Sequence, residues 1–270
     1  SGLDVLAWRW GGAPALAQRL RGFGVTVGHS RSAFNTDSNT RAGLRSCWWL
    51  RYTGETRPDR DEDRQVDIEG KLTTRPRIHN AYNIERARQV GEQWGLRLAG
   101  HSSVQYAIIN TEYPNRFDFS EPSRREVMER FGLDLRLWMQ AVADGRNAGL
   151  TYLPPGALAP EVLSPTPKGQ AVDTAADPLY LYVRWWHKER GIAPFNELLA
   201  DRVKLRAPQV APIAEPILRA PPVVRYTGRS IDFAQEWVYY ADPKNMVFVQ
   251  EGLNALSRHT GMKPTGMPQF

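Results

Sequence analysis

The sequence predicts an α/β fold in which parallel strands form a (β/α)8 barrel. Strand-like apolar stretches alternate with helical stretches along most of the chain, which is the pattern of βαβ units. About seven strands can be counted, and this many strands in 270 residues favours a barrel over a doubly wound sheet. A length of about 250 residues is also typical of such barrels.

We predict a single catalytic domain over residues 1–270. No repeat of fixed period is present in the sequence, which disfavours solenoids and propellers. A complete barrel needs eight strands. The count therefore indicates that the barrel is incomplete, carries an insertion, or belongs to a longer chain.

The N-terminal part of the chain predicts a βαβ unit and then a third strand. The stretch LDVLAWRW (3–10) predicts the first strand, and GGAPALAQRLRGFG (11–24) predicts a short helix that ends at glycine. VTVGHS (25–30) and LRSCWWLRYTG (44–54) predict the next two strands. The polar stretch 55–75 predicts a long surface loop, and its length suggests a role at the site.

The middle of the chain predicts a helix that leads into two strands. Residues 80–95 have helical periodicity, with Asn80 as the cap and Gly95 as the stop. LRLAGHS (96–102) then predicts one strand, and the β-branched and aromatic residues of 104–109 predict another.

The later elements follow from the same two periodicities. A helix over 120–145 has Ser120 or Ser123 as its cap. Residues 153–174 are rich in proline and glycine and predict an exposed loop or insertion. The remaining predictions, in chain order, are helices at 177–191 and 195–208, strands at 209–217 and 230–240, and a helix at 243–261.

Composition excludes some classes of function. The chain is 41% hydrophobic and 24% charged, as in globular proteins, and no apolar run approaches the ~20 residues that span a membrane. A net charge of +6 would permit binding to nucleic acid or to acidic polysaccharide. The arginines are scattered, however, and in 57–71 they alternate with acidic residues, so we predict no nucleic-acid partner.

Cysteine usage leaves the compartment open, and the sequence does not predict an oligomeric state. Cys47 is the only cysteine, so no intrachain disulfide can form. It lies in the apolar stretch SCWWL, which predicts a buried and unreactive thiol. Residues 1–10 carry no basic segment followed by an apolar one, so no signal peptide is predicted there.

Three segments carry a resemblance to a known family. They are TRPRIHNAYNIERARQVGEQWG (74–95), YAIINTEYP (106–114) and FDFSEPSRREVMERFGLD (117–134). Their order resembles a run in (β/α)8 glycoside hydrolases related to the family 42 β-galactosidases, where a helix precedes the fourth strand and that strand ends in an acidic residue. The later stretches 182–191 and 195–208 resemble the helices that precede the sixth strand of such enzymes. The resemblance implies a glycosidase that acts on a carbohydrate without a cofactor.

Glycoside hydrolysis uses two carboxylates, and the resemblance points to Glu112 as the proton donor. A carboxyl group at a strand end beside aromatic residues is partly desolvated, which raises its pKa toward the range of a general acid. Taken alone, Glu112 would be interpreted as a surface partner of Arg116, and the resemblance is what favours the proton donor. The adjacent Asn-Glu pair of the family is replaced here by Asn110, Thr111 and Glu112, which puts the assisting role of Asn110 in doubt because alternate strand residues share a face and neighbours do not.

Three residues compete to be the second carboxylate. Glu215 ranks first because it ends an apolar strand, and its spacing from Glu112 suggests a partner two or three βα units later. Glu236 and Asp232, which share one strand face by a period of two, rank second and third. Each of the three could instead form an ion pair with an arginine.

Other side chains at predicted strand ends are candidates for substrate binding. His29 and His101 occur in the similar tetrapeptides VGHS and AGHS and could donate hydrogen bonds to sugar hydroxyls. Flat indole rings stack on sugar rings. The further candidates for substrate binding are Trp8, Trp10, Asn110, Tyr113 and Trp237.

Two alternatives to a glycosidase remain open. Imidazoles from two strand ends plus a carboxylate form a hydrolytic metal site, so the chain could be a metal-dependent hydrolase that uses His29 and His101. It could also be a non-catalytic carbohydrate-binding or structural barrel that lacks a complete carboxylate pair. We expect His29, His101, Glu112 and Glu215 to converge at one end of the sheet, with no metal bound.

Overall fold

The computed structural model describes residues 4–7, 12–50, 58–109, 118–132, 134–143, 191–214, 229–239 and 243–269. The predicted loop at 153–174 lies outside these residues, as does nearly all of the predicted helix at 177–191. The described strands are β1 (Leu6–Ala7), β2 (Val27–Ser30), β3 (Arg45–Leu50), β4 (Arg64–Val66), β5 (Leu72–Pro76), β6 (Val104–Ile109), β7 (Ala211–Ala214), β8 (Phe233–Tyr239) and β9 (Lys263–Gln269).

Seven of these strands form one parallel sheet in the order β1-β2-β3-β6-β7-β8-β9. The spatial order follows the chain order throughout, whereas a doubly wound sheet reverses its order at a switch point. The sheet curls as half of a barrel, and β1 and β9 are its edges among the described strands. The α/β fold with a parallel sheet is therefore confirmed, while the barrel is incomplete in the described part of the chain.

Helices cover one face of the sheet. They are α1 (Pro14–Gly22), α2 (Ala33–Arg41), α3 (Ile78–Ala81), α4 (Ile84–Ala99), α5 (Glu121–Phe131), α6 (Leu135–Ala143), α7 (Ile192–Arg206) and α8 (Pro243–Thr260). In the described part of the chain, none of them is both long and apolar enough to cross a membrane.

The two faces of the sheet bury different side chains. On the outer face, strand residues such as Trp48, Leu50 and Ile109 pack with residues of the helices in the largest core. On the inner face a smaller apolar cluster consists of strand residues alone. Its buried members are Val27, Cys47, Ile108 and Ile213, with Trp49 and Phe233 among the side chains packed against them. The inner face corresponds to the interior of a barrel.

Helix α2 was not predicted, because the side chains that it buries are polar. Thr36, Ser38 and Asn39 are its buried residues. The Asn39 amide donates hydrogen bonds to the Gly28 carbonyl at 3.0 Å and to Ser46 Oγ at 2.9 Å, which ties α2 to β2 and β3. A Cβ at residue 28 would lie 2.1 Å from the Asn39 side chain, so the close approach requires glycine.

Helix α4 begins and ends four residues later than predicted, and the strand predicted over 96–102 is wrong. The cap is Asn83, whose side chain accepts from the Glu85 amide at 2.8 Å, and the helix continues through Gly95 to Ala99. A Cβ at Gly95 would lie 2.8 Å from Arg206 Cβ of α7, so this glycine permits close helix packing and does not end the helix.

The segment predicted as a surface loop over 55–75 contains regular structure. A 3-10 turn at Asp61–Asp63 leads into an antiparallel hairpin of β4 and β5. Asp63 directly precedes β4 and joins the hairpin to α3, because its carboxylate accepts a hydrogen bond from Asn80 of α3 at 3.0 Å. The carboxylate also accepts a hydrogen bond from Arg60 at 2.8 Å. These hydrogen bonds lower the pKa of Asp63.

Strand β9 was also missed, because KPTGMPQ contains two prolines and a glycine. Proline is tolerated in edge strands, and β9 pairs with β8 alone among the described strands, from Phe233↔Lys263 to Tyr239↔Gln269. The predicted helix over 120–145 forms as α5 and α6, separated by Gly132 at φ +66°. The other predicted strands and helices that fall within the described residues are confirmed, although β1 is only two residues long.

The Cys47 thiol is expected to be inert in the native protein. Cys47 is 1% exposed on the inner face, and burial raises its pKa to about 12. An unfolded thiol ionises near pH 9.0, so the free energy of unfolding should fall between about pH 9 and pH 12, where only the unfolded thiol loses its proton. Denaturant titrations across that range should show the decline, and Cys47→Ala should remove this part of it. A thiol reagent that labels native protein rapidly at pH 8 would contradict the prediction.

Candidate functional site

The carboxyl ends of β2, β3, β6 and β7 lie side by side at one edge of the sheet, called here the carboxyl edge. The register pairs Ser30 with Trp48 and Leu50 with Ile109. It also pairs Ile109 with Ala214, the last residues of β6 and β7. Side chains that follow these four strands therefore start from neighbouring positions, as at the site-bearing end of (β/α)8 barrels.

Glu112 and Glu215 follow two of these neighbouring strands. Both glutamates lie outside the described residues, but Glu215 directly follows Ala214, and Glu112 comes three residues after Ile109. Strands that share hydrogen bonds are about 4.8 Å apart. The spacing in sequence suggested a partner two or three βα units away from Glu112, but β7 is the immediate neighbour of β6.

His29, Trp49 and Arg31 lie together at the carboxyl edge of β2 and β3. The imidazole of His29 is 5% exposed, and its ring centroid is 6.3 Å from that of Trp49. The guanidinium carbon of Arg31, the residue after β2, lies 4.7 Å from the centroid of the Trp49 ring. His29 was predicted as a site residue, whereas Trp49 and Arg31 were not. The alternation of β3 could have found Trp49, because it shares a strand face with Cys47.

His101 lies at the opposite edge, so the prediction that it joins His29 is wrong. Its backbone amide donates to the Leu98 carbonyl at 3.0 Å, just after α4, and β6 begins three residues later. The His101 ring lies beside the Trp48 ring, with their centroids 5.6 Å apart and their planes tilted by 31°. The two histidines also lie on opposite faces of the sheet, because Trp48 belongs to the outer-face core, whereas Trp49, the neighbour of His29, packs against the inner-face cluster.

A metal site built from this pair of histidines is therefore excluded by position. Within the described residues, no group of three or more His, Cys, Asp and Glu side chains is arranged to hold a metal ion. The repeated Gly-His-Ser pattern occurs once inside a strand and once after a helix. The two tetrapeptides are therefore similar in sequence but not in structure.

Asp232 also lies at this opposite edge, where the strands begin and which is called here the amino edge, contrary to its predicted role as a partner of Glu112. It directly precedes β8, and its carboxylate accepts from Lys204 Nζ at 2.9 and 3.1 Å. Its backbone amide donates to the Pro212 carbonyl at 3.0 Å. The ion pair considered as the alternative for Asp232 is the one found, with lysine in place of arginine.

The other candidate residues are placed only in part. Glu236 and Trp237 lie within β8, opposite Gly266 and Met267 of β9. Four further candidates lie outside the described residues: Trp8, Trp10, Asn110 and Tyr113.

Asp118 lies six residues after Glu112 in sequence and stabilises the start of α5. Its side chain is fully buried, at 0% exposure, and accepts five hydrogen bonds. Oδ1 accepts from the amides of Val66 at 3.2 Å and Ser120 at 3.0 Å. Oδ2 accepts from the Ile78 amide at 3.4 Å and from the hydroxyls of Ser120 and Ser123 at 2.9 and 2.8 Å. One carboxylate thus joins the hairpin, α3 and the start of α5, which no local sequence signal indicated.

Comparisons with known proteins bear on the fold. No family model matches the chain, and no curated protein matches it. A solved β-galactosidase from Bacillus circulans sp. alkalophilus aligns over 95% of this chain and 42% of its own, with a TM-score of 0.54 and 13% identity. This likeness shows the fold. A β-galactosidase from the psychrophilic Marinomonas ef1 aligns over 87% of this chain and 40% of its own, at 12% identity and a TM-score of 0.47. The chain thus spans less than half the length of either protein.

Proposed function

We propose that the protein is a glycoside hydrolase in which Glu112 and Glu215 are the catalytic carboxylates. The observation that carries the proposal is the pairing of Ile109 with Ala214 at the carboxyl edge, because each of these strand ends is followed within three residues by a glutamate. Two carboxylates on adjacent strands suit the separations of ~5–9.5 Å that glycosidases use. The β-galactosidase that shares the fold supports a carbohydrate as substrate.

In the proposed reaction, Glu112 donates its proton to the glycosidic oxygen as the bond to the anomeric carbon breaks. Glu215 either attacks the anomeric carbon or takes a proton from the water that attacks it. A separation of ~5 Å between the carboxyl groups would give retention, and a wider gap would give inversion. Apolar surroundings would keep Glu112 protonated at neutral pH by raising its pKa.

The remaining candidates would bind the sugar. His29 supplies a hydrogen-bonding group at the carboxyl edge of β2, and Asn110 and Tyr113 flank Glu112 in sequence. Indole rings would stack on the apolar faces of sugar rings. Trp8, Trp10 and Trp237 are the residues proposed for this role.

Three matched substitutions test which carboxylate is the partner of Glu112. Glu215→Gln should lower turnover of aryl glycosides and oligosaccharides by at least about 10²-fold, because Gln can neither attack nor accept a proton. Asp232→Asn is the control and should leave turnover unchanged, because Asp232 pairs with Lys204 at the other edge. If Glu236→Gln abolished turnover and Glu215→Gln did not, Glu236 would replace Glu215. Full activity in all three variants would refute the carboxylate pair.

A further inference from the structure

Strand β3 carries two consecutive tryptophans, and each has an arginine over its ring. Trp48 belongs to the outer-face core, and the guanidinium carbon of Arg97 lies 5.0 Å from its ring centroid. Trp49 packs against the inner-face cluster, and the guanidinium carbon of Arg31 lies 4.7 Å from its centroid. Both arginines are exposed. The two pairs have the same chemistry but lie on opposite faces of the sheet.

The pair of Arg31 and Trp49 lies beside the proposed catalytic strands. Arg31 follows the last residue of β2 at the carboxyl edge, and Trp49 is the next-to-last residue of β3. Strand β3 pairs directly with β6, the strand that leads to Glu112. A glycan held beyond the carboxyl ends of β6 and β7 that extends across β3 toward β2 would therefore approach Arg31.

The chemistry of this position favours an anionic sugar. A neutral sugar stacks on a bare indole face, but here a guanidinium covers a face of Trp49. A guanidinium presents planar donors that match a carboxylate in a bidentate pair, and it is less strongly hydrated than an ammonium group. Contact with the indole of Trp49, whose other neighbour is the buried His29, excludes water from one side of the guanidinium, which strengthens an ionic hydrogen bond. The net charge of +6 would also attract an acidic polymer.

We propose that Arg31, supported by Trp49 and His29, forms a subsite for the carboxylate of an acidic sugar, so that the substrate is a uronate-containing glycan. This inference rests on the proposed function, because it assumes that a glycan lies at the same carboxyl edge. It specifies the substrate class of that site and assigns a role to two residues, Arg31 and Trp49, that sequence patterns did not indicate.

Binding measured without turnover tests the subsite. Glu112→Gln is used as the parent so that bound glycan is not consumed, and Arg31→Gln and Arg97→Gln are introduced into it. The probes are soluble polyuronates (polygalacturonate, alginate and glucuronoxylan) and their carboxyl-reduced neutral forms, compared by affinity electrophoresis. Each variant removes one positive charge and one stacked guanidinium, so an effect of net charge would be equal in both.

The parent should bind at least one polyuronate about tenfold or more tightly than its reduced form, as expected for one ionic hydrogen-bonded pair. Arg31→Gln should lose that preference and Arg97→Gln should keep it. Arg31→Lys should keep only part of it, because lysine cannot form the bidentate pair.

Two results would overturn the subsite. One is a parent without preference for the acidic form, including a parent that binds none of the probes. The other is an equal effect of Arg31→Gln and Arg97→Gln, which would assign the preference to net charge. The proposed function fails separately: if the wild-type protein hydrolyses no glycan while the preference depends on Arg31, the subsite belongs to a non-catalytic carbohydrate-binding barrel.

Discussion

The Glu112→Gln variant is expected to fold normally and to lose about 10²–10⁴-fold of its turnover on glycosides with poor leaving groups. Glutamine keeps the size and hydrogen-bonding reach of glutamate but has no proton to transfer. The aryl group of an activated aryl glycoside leaves without being protonated, so the turnover of these substrates should fall far less. The measurement is the rate against the leaving-group pKa for wild type and variant, which should be nearly flat for wild type and steep for Glu112→Gln.

Two outcomes would remove Glu112 from the mechanism. Equal turnover of wild type and variant on every active substrate would indicate a surface residue, such as a partner of Arg116, whose loss costs at most about 1 kcal/mol of stability. A variant that has lost its cooperative unfolding transition would show that Glu112 acts on the fold. Asp232→Asn is the matched control here too, since its carboxylate lies at the amino edge.

The Asp118→Asn variant is expected to lower the free energy of unfolding by about 3 kcal/mol or more, because its carboxylate is buried and accepts five hydrogen bonds. Asparagine offers one acceptor oxygen and turns its NH2 group toward donors. The Ser120 and Ser123 hydroxyls can rotate away, but the Val66 and Ile78 amides cannot. At least one buried backbone N–H therefore loses its acceptor.

Urea unfolding of wild type and Asp118→Asn measures the loss, and hydrogen exchange locates it. The amides of Val66 and Ile78 should lose protection before the sheet does, because Asp118 joins the hairpin and α3 to the start of α5. Asp37→Asn on an exposed part of α2 is the control and should change stability by no more than about 0.5 kcal/mol. An Asp118→Asn variant as stable as this control would show that ordered water can replace the carboxylate.

Local patterns were sufficient wherever an element buries apolar side chains at regular spacing. The strands β3, β6 and β7 are rich in β-branched, aromatic or other apolar residues, and each was predicted near its observed position. Patterns failed where the buried surface is polar, as in α2, or where proline interrupts an edge strand, as in β9. Both elements are stabilised by contacts with other strands: Asn39 of α2 donates to Gly28 of β2 and Ser46 of β3, and β9 pairs with β8.

The errors at the site have one physical origin. A local pattern reports that a residue flanks a strand, but not at which end, because that depends on where the preceding helix stops. Helix α4 continues through Gly95, since α7 packs against that glycine, and its extension places His101 before β6. Asp232 likewise precedes β8, where it pairs with Lys204.

The sequence by itself determined the alternation of strands and helices, and it placed Glu215 directly after one strand and Glu112 shortly after another. These properties are local, because they depend on residue types within a few positions of each other. Only the tertiary structure decided that β6 and β7 are neighbours, that His29 is near Trp49 and Arg31, and that His101 and Asp232 lie at the far edge. Strand order and helix length depend on packing between distant segments, which no short stretch of sequence encodes.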